Sequence, residues 1–570
     1  MKLNEDNCGP TLRISKELHA MKYRGEGESF LEAQVRFANA LKDSPEHFKA
    51  LKKILVDQRF MGGGRTQAAI GAPRKVTAFN CFVSGTMEDS FDHIMKTYTE
   101  AGKTMRLGGG NGYDFSPLRP KGDLIVKLES RSSGPVSFMS IGDAICGTIS
   151  AAGHRRGAQM AVLRVDHPDI EEFVTAKHNR DQLTRFNTSI GITDEFMEAV
   201  VNREEFALRF NGRIYEYVDA YTLWEKIMRS TWEWAEPGVL FLDVINNMNN
   251  LKYCETIAAT NPCGEQPLPP YGACLLGSFN MIKYVNSGGF DYEQFRRDIR
   301  VVVRAMDNII DRTIYPLPEQ EQEAKNKRRM GLGMTAVANA GEVLGYSYGS
   351  KEFIKWFEEV AIILRDSLYW GSVELAEEKG SFPLFDADKF CDSNFVKTLP
   401  DDLQQAIRER GIRNSHLISY APTGTISLTA DNVSGGIEPV FSHYYDRTVQ
   451  TFDGPIVERV EDYAYRVYGV AGKKATECTP EEHLSVLATA SKYCDSAVSK
   501  TINCDPNMDW EDFKNIYLTA WQTGCKGVTT FNPGGSRFGI LNEVVEENEQ
   551  EEPANEACYI NTETGQKECA

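Results

Sequence analysis

Asn261, Cys263 and Glu265 occupy alternate positions in Asn261-Pro262-Cys263-Gly264-Glu265-Gln266-Pro267-Leu268. In an extended segment, residues i, i+2 and i+4 point the same way, so an amide, a thiol and a carboxylate are expected to face one pocket. Pro262, Gly264 and Pro267 argue against a helix and for a short, rigid loop. A cysteine is often only a small buried apolar residue, but the flanking amide and carboxylate favour a chemical role. A second thiol, Cys274, follows eleven residues later. A third, Cys81, lies in Asn80-Cys81-Phe82-Val83, which reads as the end of a strand.

Three further stretches are suited to anions or to close backbone approach. Ala421-Pro422-Thr423-Gly424-Thr425-Ile426-Ser427 offers hydroxyls and amides around a glycine, a phosphate cradle if a helix begins there. Read alone, it is also an ordinary Ser/Thr-rich turn. Gly153-His154-Arg155-Arg156-Gly157-Ala158 sets two guanidinium groups between glycines, an anion loop or a solvated turn. Gly108-Gly109-Gly110-Asn111-Gly112 is too glycine-dense for a regular element and implies close backbone approach. It matches neither a Walker ending nor the dinucleotide fingerprint.

The chain end carries Cys558 and Cys569. Seven glutamates and no basic residue lie between Leu541 and Glu556, predicting a flexible, self-repelling linker. Two thiols without a nearby histidine make a poor zinc site. A swinging redox dithiol is the better reading.

The elements that must position these groups are a mixture of helices and strands, hence an α/β fold. Leu31, Val35, Ala38 and Leu41 have helical spacing, and Ser44-Pro45-Glu46 reads as the start of another helix. Asp89-Ser90 opens a helix expected to close at Gly102. Phe353, Trp356, Phe357, Val360, Ile363 and Leu364 mark a long core-facing helix, and Lys526–Phe531 the last ordered strand.

At 570 residues, the chain has room for several domains or one large barrel with additions. A net charge of −18 disfavours nucleic acid or a membrane surface as partner, so an anionic substrate needs a local basic pocket. No secretory signal and no apolar run approaching a membrane span is visible, and 13 thinly spread cysteines are not a disulfide framework. A cytoplasmic location is expected.

Together these residues resemble ribonucleotide reductase. The Asn-x-Cys-x-Glu loop followed by Cys274, the Asn80-Cys81 strand, the Ala421–Ser427 turn and the cysteine-bearing tail come in that family's order. Pro269-Pro270-Tyr271-Gly272-Ala273-Cys274, Ser434-Gly435-Gly436-Ile437-Glu438-Pro439-Val440-Phe441 and Lys526–Phe531 are similar to its class II, adenosylcobalamin-dependent branch.

The resemblance implies a ten-stranded α/β barrel with a central finger loop. Residues 1–60 would form a small helical N-terminal region, 61–540 the barrel, and 541–570 an acidic flexible tail. It implies Cys263 as the thiyl radical site, Glu265 as general base, Asn261 as partner of the sugar hydroxyls, and Cys81 and Cys274 as the reductants that end as a disulfide. Cys558 and Cys569 would re-reduce that disulfide, with a thioredoxin-like donor behind them.

Asn80, Thr423, Gly424, Thr425, Ile426 and Ser427 match substrate-binding positions, for a ribonucleoside di- or triphosphate. Asp89, Ser90, Arg119 and Arg155 match the site for dNTP or ATP effectors. With no long insertion between Asp89 and Arg155, a homodimer is expected. The N-terminus is too short for the family's usual ATP-binding activity domain, so specificity control without an on/off switch is expected. The class I alternative draws its radical from a separate metal-containing subunit through two adjacent tyrosines, where this chain has Thr530-Phe531. A noncatalytic nucleotide-binding protein would need neither Cys263 with Glu265 nor the terminal dithiol.

Overall fold

The computed structural model describes residues 8–149, 158–451 and 454–535, with short backbone strands at Asn542–Glu543, Cys558–Ile560 and Lys567–Cys569. Cys81–Val83, Gly110–Asp114, Gln159–Arg164, Phe186–Ile192 and Gly238–Phe241 lie side by side in that order, each parallel to the next. Parallel neighbours require crossover connections. Helices supply them, among them Phe91–Arg106 between the first two strands and Pro135–Thr148 between the second and third.

Gly238–Phe241 then pairs antiparallel with Gly527–Phe531, which runs parallel to Thr501–Asn503. In a second sheet, Leu276–Asn280 runs parallel to Gly331–Thr335. Single parallel bridges, Leu332 to Ile418 and Tyr420 to Val498, lead from this sheet back towards the Thr501 strand. Ala273–Cys274, just ahead of Leu276, pairs antiparallel with Cys81–Val83. Asp495 ties the bridged segments together, accepting hydrogen bonds from the Leu417 and Ile418 amides (2.7 and 2.9 Å) and from the Tyr369 hydroxyl (2.8 Å). Burial raises its carboxyl pKa.

Between the sheets runs a short antiparallel hairpin, Ala259–Thr260 with Pro267–Leu268, whose loop carries Cys263. Val83, Met160, Val162, Leu240, Leu268 and Leu276 form one buried apolar cluster around it. The glycine-dense run, expected to be irregular, is a strand over Gly110–Asp114. Its glycines are there because the hairpin lies against it. A Cβ on Gly112 would stand 2.0 Å from the Thr260 carbonyl oxygen. The close approach was legible; the strand was not, because glycine weakens strands wherever no such neighbour demands it.

Helix starts follow the expected chemistry. Ser44 caps Pro45–Val56 by accepting from the His47 amide (3.1 Å), Ser90 caps Phe91–Arg106, and Ser350 caps the 29-residue helix Lys351–Lys379. The helix after Ser90 does not close at Gly102. It continues to Arg106, with Gly102 buried inside it and Ile149 Cδ1 3.1 Å from where a Cβ would stand. That glycine makes room for packing rather than ending the helix.

The first helix, Arg13–Tyr23, is docked against residues 428–431. Asp431 accepts from the Thr11 and Leu12 amides (2.6 and 2.9 Å), and Ser15 Oγ donates to the Leu428 carbonyl (2.6 Å). Among the described residues no helix is long and apolar enough to cross a membrane.

Candidate active site

The loop at the hairpin tip is a tight turn, not the extended segment that alternation assumed. The Asn261 amide donates to the Gln266 carbonyl (3.1 Å), the Gly264 amide to the Asn261 carbonyl (3.0 Å), and Asn261 Oδ1 accepts from the Gln266 amide (2.9 Å). So Asn261 braces the loop from beneath, fully buried. Its Nδ2 is a buried donor with no hydrogen-bond partner among the described residues.

The tip is clamped from two sides. Asn187 Nδ2 donates to the Pro262 carbonyl (2.8 Å), while the Ala497 amide and Ser419 Oγ both donate to the Glu265 carbonyl (3.0 and 2.8 Å). Cys263 is exposed at the apex, and Glu265 is only 2% exposed.

Cys263 and Glu265 open onto a cavity of about 790 Å³ that Asn80, Cys81, Ser278 and Ala421–Ile426 also line. Cys81 Sγ and Pro262 Cγ both lie close to where a Gly110 Cβ would stand, at 3.2 and 3.3 Å, so the Cys81 thiol sits beside the finger. Cys274 is the Cα partner of Cys81 in the antiparallel pair. Directly opposed residues in such a pair have Cα atoms roughly 4.5–5.5 Å apart, within the span a disulfide bridges. This register closes a separation of 193 positions in sequence (274 − 81).

Across the cavity, the helix Gly424–Thr429 begins as the phosphate cradle requires. Its first intrahelical bond is Ser427 amide to Thr423 carbonyl (2.9 Å), leaving the amides of Gly424, Thr425 and Ile426 ahead of it. Thr423, with φ of 53°, spends its hydroxyl on the fold. Its Oγ1 accepts from the Gly436 amide (2.7 Å) and lies 2.9 Å from Thr335 Oγ1. This explains the Ser434-Gly435-Gly436 stretch: it underpins the turn, and a Cβ on Gly436 would meet the Ala421 carbonyl at 2.7 Å. Ser427 is buried and does not line the cavity.

A second cavity, of about 210 Å³, also reaches Cys263. Asn187, Ser189, Glu236, Lys500 and Thr529 line it, and none of its described lining residues is a tyrosine or tryptophan. Of the pair Thr530-Phe531, Thr530 turns away from Cys263, with its hydroxyl 2.8 Å from that of Tyr517.

The remaining expected residues lie elsewhere. Asp89 and Arg119 meet, Arg119 Nε donating to Asp89 Oδ2 at 2.7 Å, while Ser90 caps the adjacent helix; none of the three lines either cavity. Arg155 is outside the described residues, as is 544–557 of the acidic tail. Cys558 and Cys569 are Cα partners in an antiparallel pair of short strands, Cys558–Ile560 with Lys567–Cys569. The sequence reading missed Lys22, Tyr23, Arg65 and Arg74 in the larger cavity. Isolated basic residues more than 150 positions from the hairpin carry no local signal.

The family model described as ribonucleotide reductase, barrel domain, matches residues 79–467 and 453–531. The chain belongs to the ribonucleotide reductase family. A vitamin B12-dependent ribonucleoside-diphosphate reductase from Mycobacterium tuberculosis (strain CDC 1551 / Oshkosh) is 36% identical over 492 residues, covering 81% of this chain and 68% of that protein. Its namesake from Thermoplasma acidophilum is 33% identical over 493 residues, covering 81% and 62%. The ribonucleoside-diphosphate reductase subunit alpha of Chlamydia pneumoniae is 24% identical over 539 residues, covering 78% and 51%. The reductase chain therefore spans about two thirds of the first two relatives and half of the third.

Proposed function

We propose that this chain reduces ribonucleotides to 2′-deoxyribonucleotides by thiyl-radical chemistry, as the adenosylcobalamin-dependent class II enzyme. The observation that carries this reading is the shared cavity of Cys263, Glu265 and Cys81, with Cys274 in register beside Cys81 and helix amides opposite. Cys263, oxidised to a thiyl radical, takes the 3′ hydrogen atom of the substrate ribose. Glu265 accepts the 3′-hydroxyl proton as general base, and the Asn261 Nδ2 donor is suited to a sugar hydroxyl. Cys81 and Cys274 together provide two electrons and two protons: one proton leaves with the 2′-hydroxyl as water, and a hydrogen takes its place at C2′. They become a disulfide, Glu265 returns its proton, and Cys263 gives the hydrogen atom back to C3′, becoming the thiyl radical again. The buried apolar cluster around the hairpin supports it from behind, and bound substrate and cofactor would cover the exposed Cys263 thiol.

Adenosylcobalamin, when bound, supplies the one-electron oxidising equivalent that removes the thiol hydrogen atom of Cys263. The smaller cavity fits the adenosyl end of that cofactor: it reaches the thiol from a separate side and presents Asn187, Ser189 and Thr529 as polar contacts. The class I route needs redox-active phenols leading to the thiol. The lining described above favours the cofactor.

The same reading takes the two sheets as one ten-stranded barrel over about residues 61–540. In its support, the strand pairings and the two single bridges form an unbroken sequence of neighbours from Cys81–Val83 round to Ala273–Asn280 and back. Residues 1–60 are taken as its helical N-terminal region and 541–570 as the redox tail. Cys558 and Cys569 re-reduce Cys81 and Cys274, with a thioredoxin-like donor in a reducing cytoplasm.

A dNTP or ATP effector at Asp89, Ser90, Arg119 and Arg155, on a homodimer interface, is supported by exposed Phe91, Leu124, Val126 and Leu128 nearby. The direct test is Cys263→Ser or Cys263→Ala. Either is expected to abolish reduction while the melting temperature stays within a degree or two; reduction surviving both would overturn the assignment.

A further inference from the structure

The larger cavity has a wall built by the chain's first residues, which precede the stretch that the family model matches. Helix Arg13–Tyr23 brings Lys22 to it, and the segment just before the Cys81 strand brings Arg65 and Arg74. Among the described lining side chains these three are cationic, and Glu265 is the one carboxylate. The chain as a whole carries −18. This cavity therefore reverses the sign of the molecule around it, as an anionic ligand requires.

The wall is held fixed relative to the phosphate turn. The bonds from Thr11, Leu12 and Ser15 to Asp431 and Leu428 tie the first helix to residues at and just beyond the end of the helix Gly424–Thr429. At the other end, Tyr23 packs on the glycines before Arg65, its hydroxyl 3.2 Å from where a Gly64 Cβ would stand. Cations and helix amides thus face one space from a single rigid support.

We infer that Lys22, Arg65 and Arg74 form a phosphate wall that holds the terminal phosphate of the substrate nucleotide opposite the Gly424–Ile426 amides. The inference rests on reading this cavity as the nucleotide site. It makes the N-terminal helix part of substrate recognition, and makes affinity depend on the number of phosphates and on salt.

The test uses the full-length Cys263→Ser chain, which keeps the cavity but cannot react, titrated calorimetrically with CDP, CMP and cytidine. CDP is expected to bind at least about tenfold more tightly than CMP at low salt. Lys22→Met and Arg74→Met should each weaken CDP by roughly five- to tenfold and CMP by less than about twofold. Lys22→Arg should restore CDP binding. Arg74 is exposed, so its replacement leaves the core intact and tests the wall independently of any folding defect at Lys22.

An unchanged CDP-to-CMP ratio in both Met variants would overturn the inference. Reduction by the unmodified chain is measured alongside. If it reduces nucleotides yet neither cation matters, the wall alone is refuted. If the cations govern CDP binding but the chain reduces nothing, the radical reading fails and the wall stands.

Discussion

At the scale of single residues, side-chain type was a better guide than spacing. Asn261, Cys263 and Glu265 were legible as a chemical set. The alternation argument treated the segment as extended, whereas the loop closes into a turn that takes Asn261 Oδ1 as a brace and leaves its Nδ2 as the group available to a ligand. Thr423 was legible as part of a Ser/Thr-rich turn at a helix start, but its hydroxyl is committed to Gly436 and Thr335, partners 13 and 88 residues away that no local pattern reveals.

One buried carboxyl outside the site makes a prediction of its own. Burial pushes Glu342 up to about 7 from 4.5. Its folded form therefore holds a proton that the unfolded chain releases between pH 4.5 and 7. Stability from this group is greatest below about pH 4.5 and falls as pH rises to 7, by an amount on the order of 3 kcal/mol at most. Glu342→Gln keeps an acceptor for the Lys473 amide, which bonds Oε1 at 2.6 Å, and removes the charge. The melting temperature of the variant relative to the parent should rise across pH 4.5 to 7 and then level off. A difference that is flat with pH would contradict this.

At the scale of elements, serine caps and apolar spacing located the helices because both signals are local. Glycine misled twice, and for one reason. Gly102 sits inside a helix and Gly112 inside a strand, each to let a distant neighbour approach, and that neighbour is invisible in the sequence. Gly112→Ala would force a methyl group against the Thr260 carbonyl, a backbone atom that cannot move without displacing the hairpin. The expected cost is about 3 kcal/mol, seen as a lower melting temperature together with lost reduction, since Cys263 rides on that hairpin. Full activity with unchanged melting would show that the hairpin does not need this contact.

At the scale of the whole molecule, the net charge of −18 implied a local basic pocket without locating it. Lys22 joins Arg65 and Arg74 only through the docking of the first helix against residues 428–431. The parallel order of the first five strands follows from the alternation of strand and helix, whereas the bridges through Ile418 and Tyr420 are single contacts with no strand signature. The source of the radical is likewise a property of the assembled molecule: what reaches Cys263 depends on the cavity beside it, not on the hairpin. The decisive measurement is nucleotide reduction by the purified chain with adenosylcobalamin and a dithiol, no other protein being present. Deoxynucleotide formation that depends on the cofactor is the predicted result. No product until a metal-containing second subunit is added, with adenosylcobalamin irrelevant, would contradict the account.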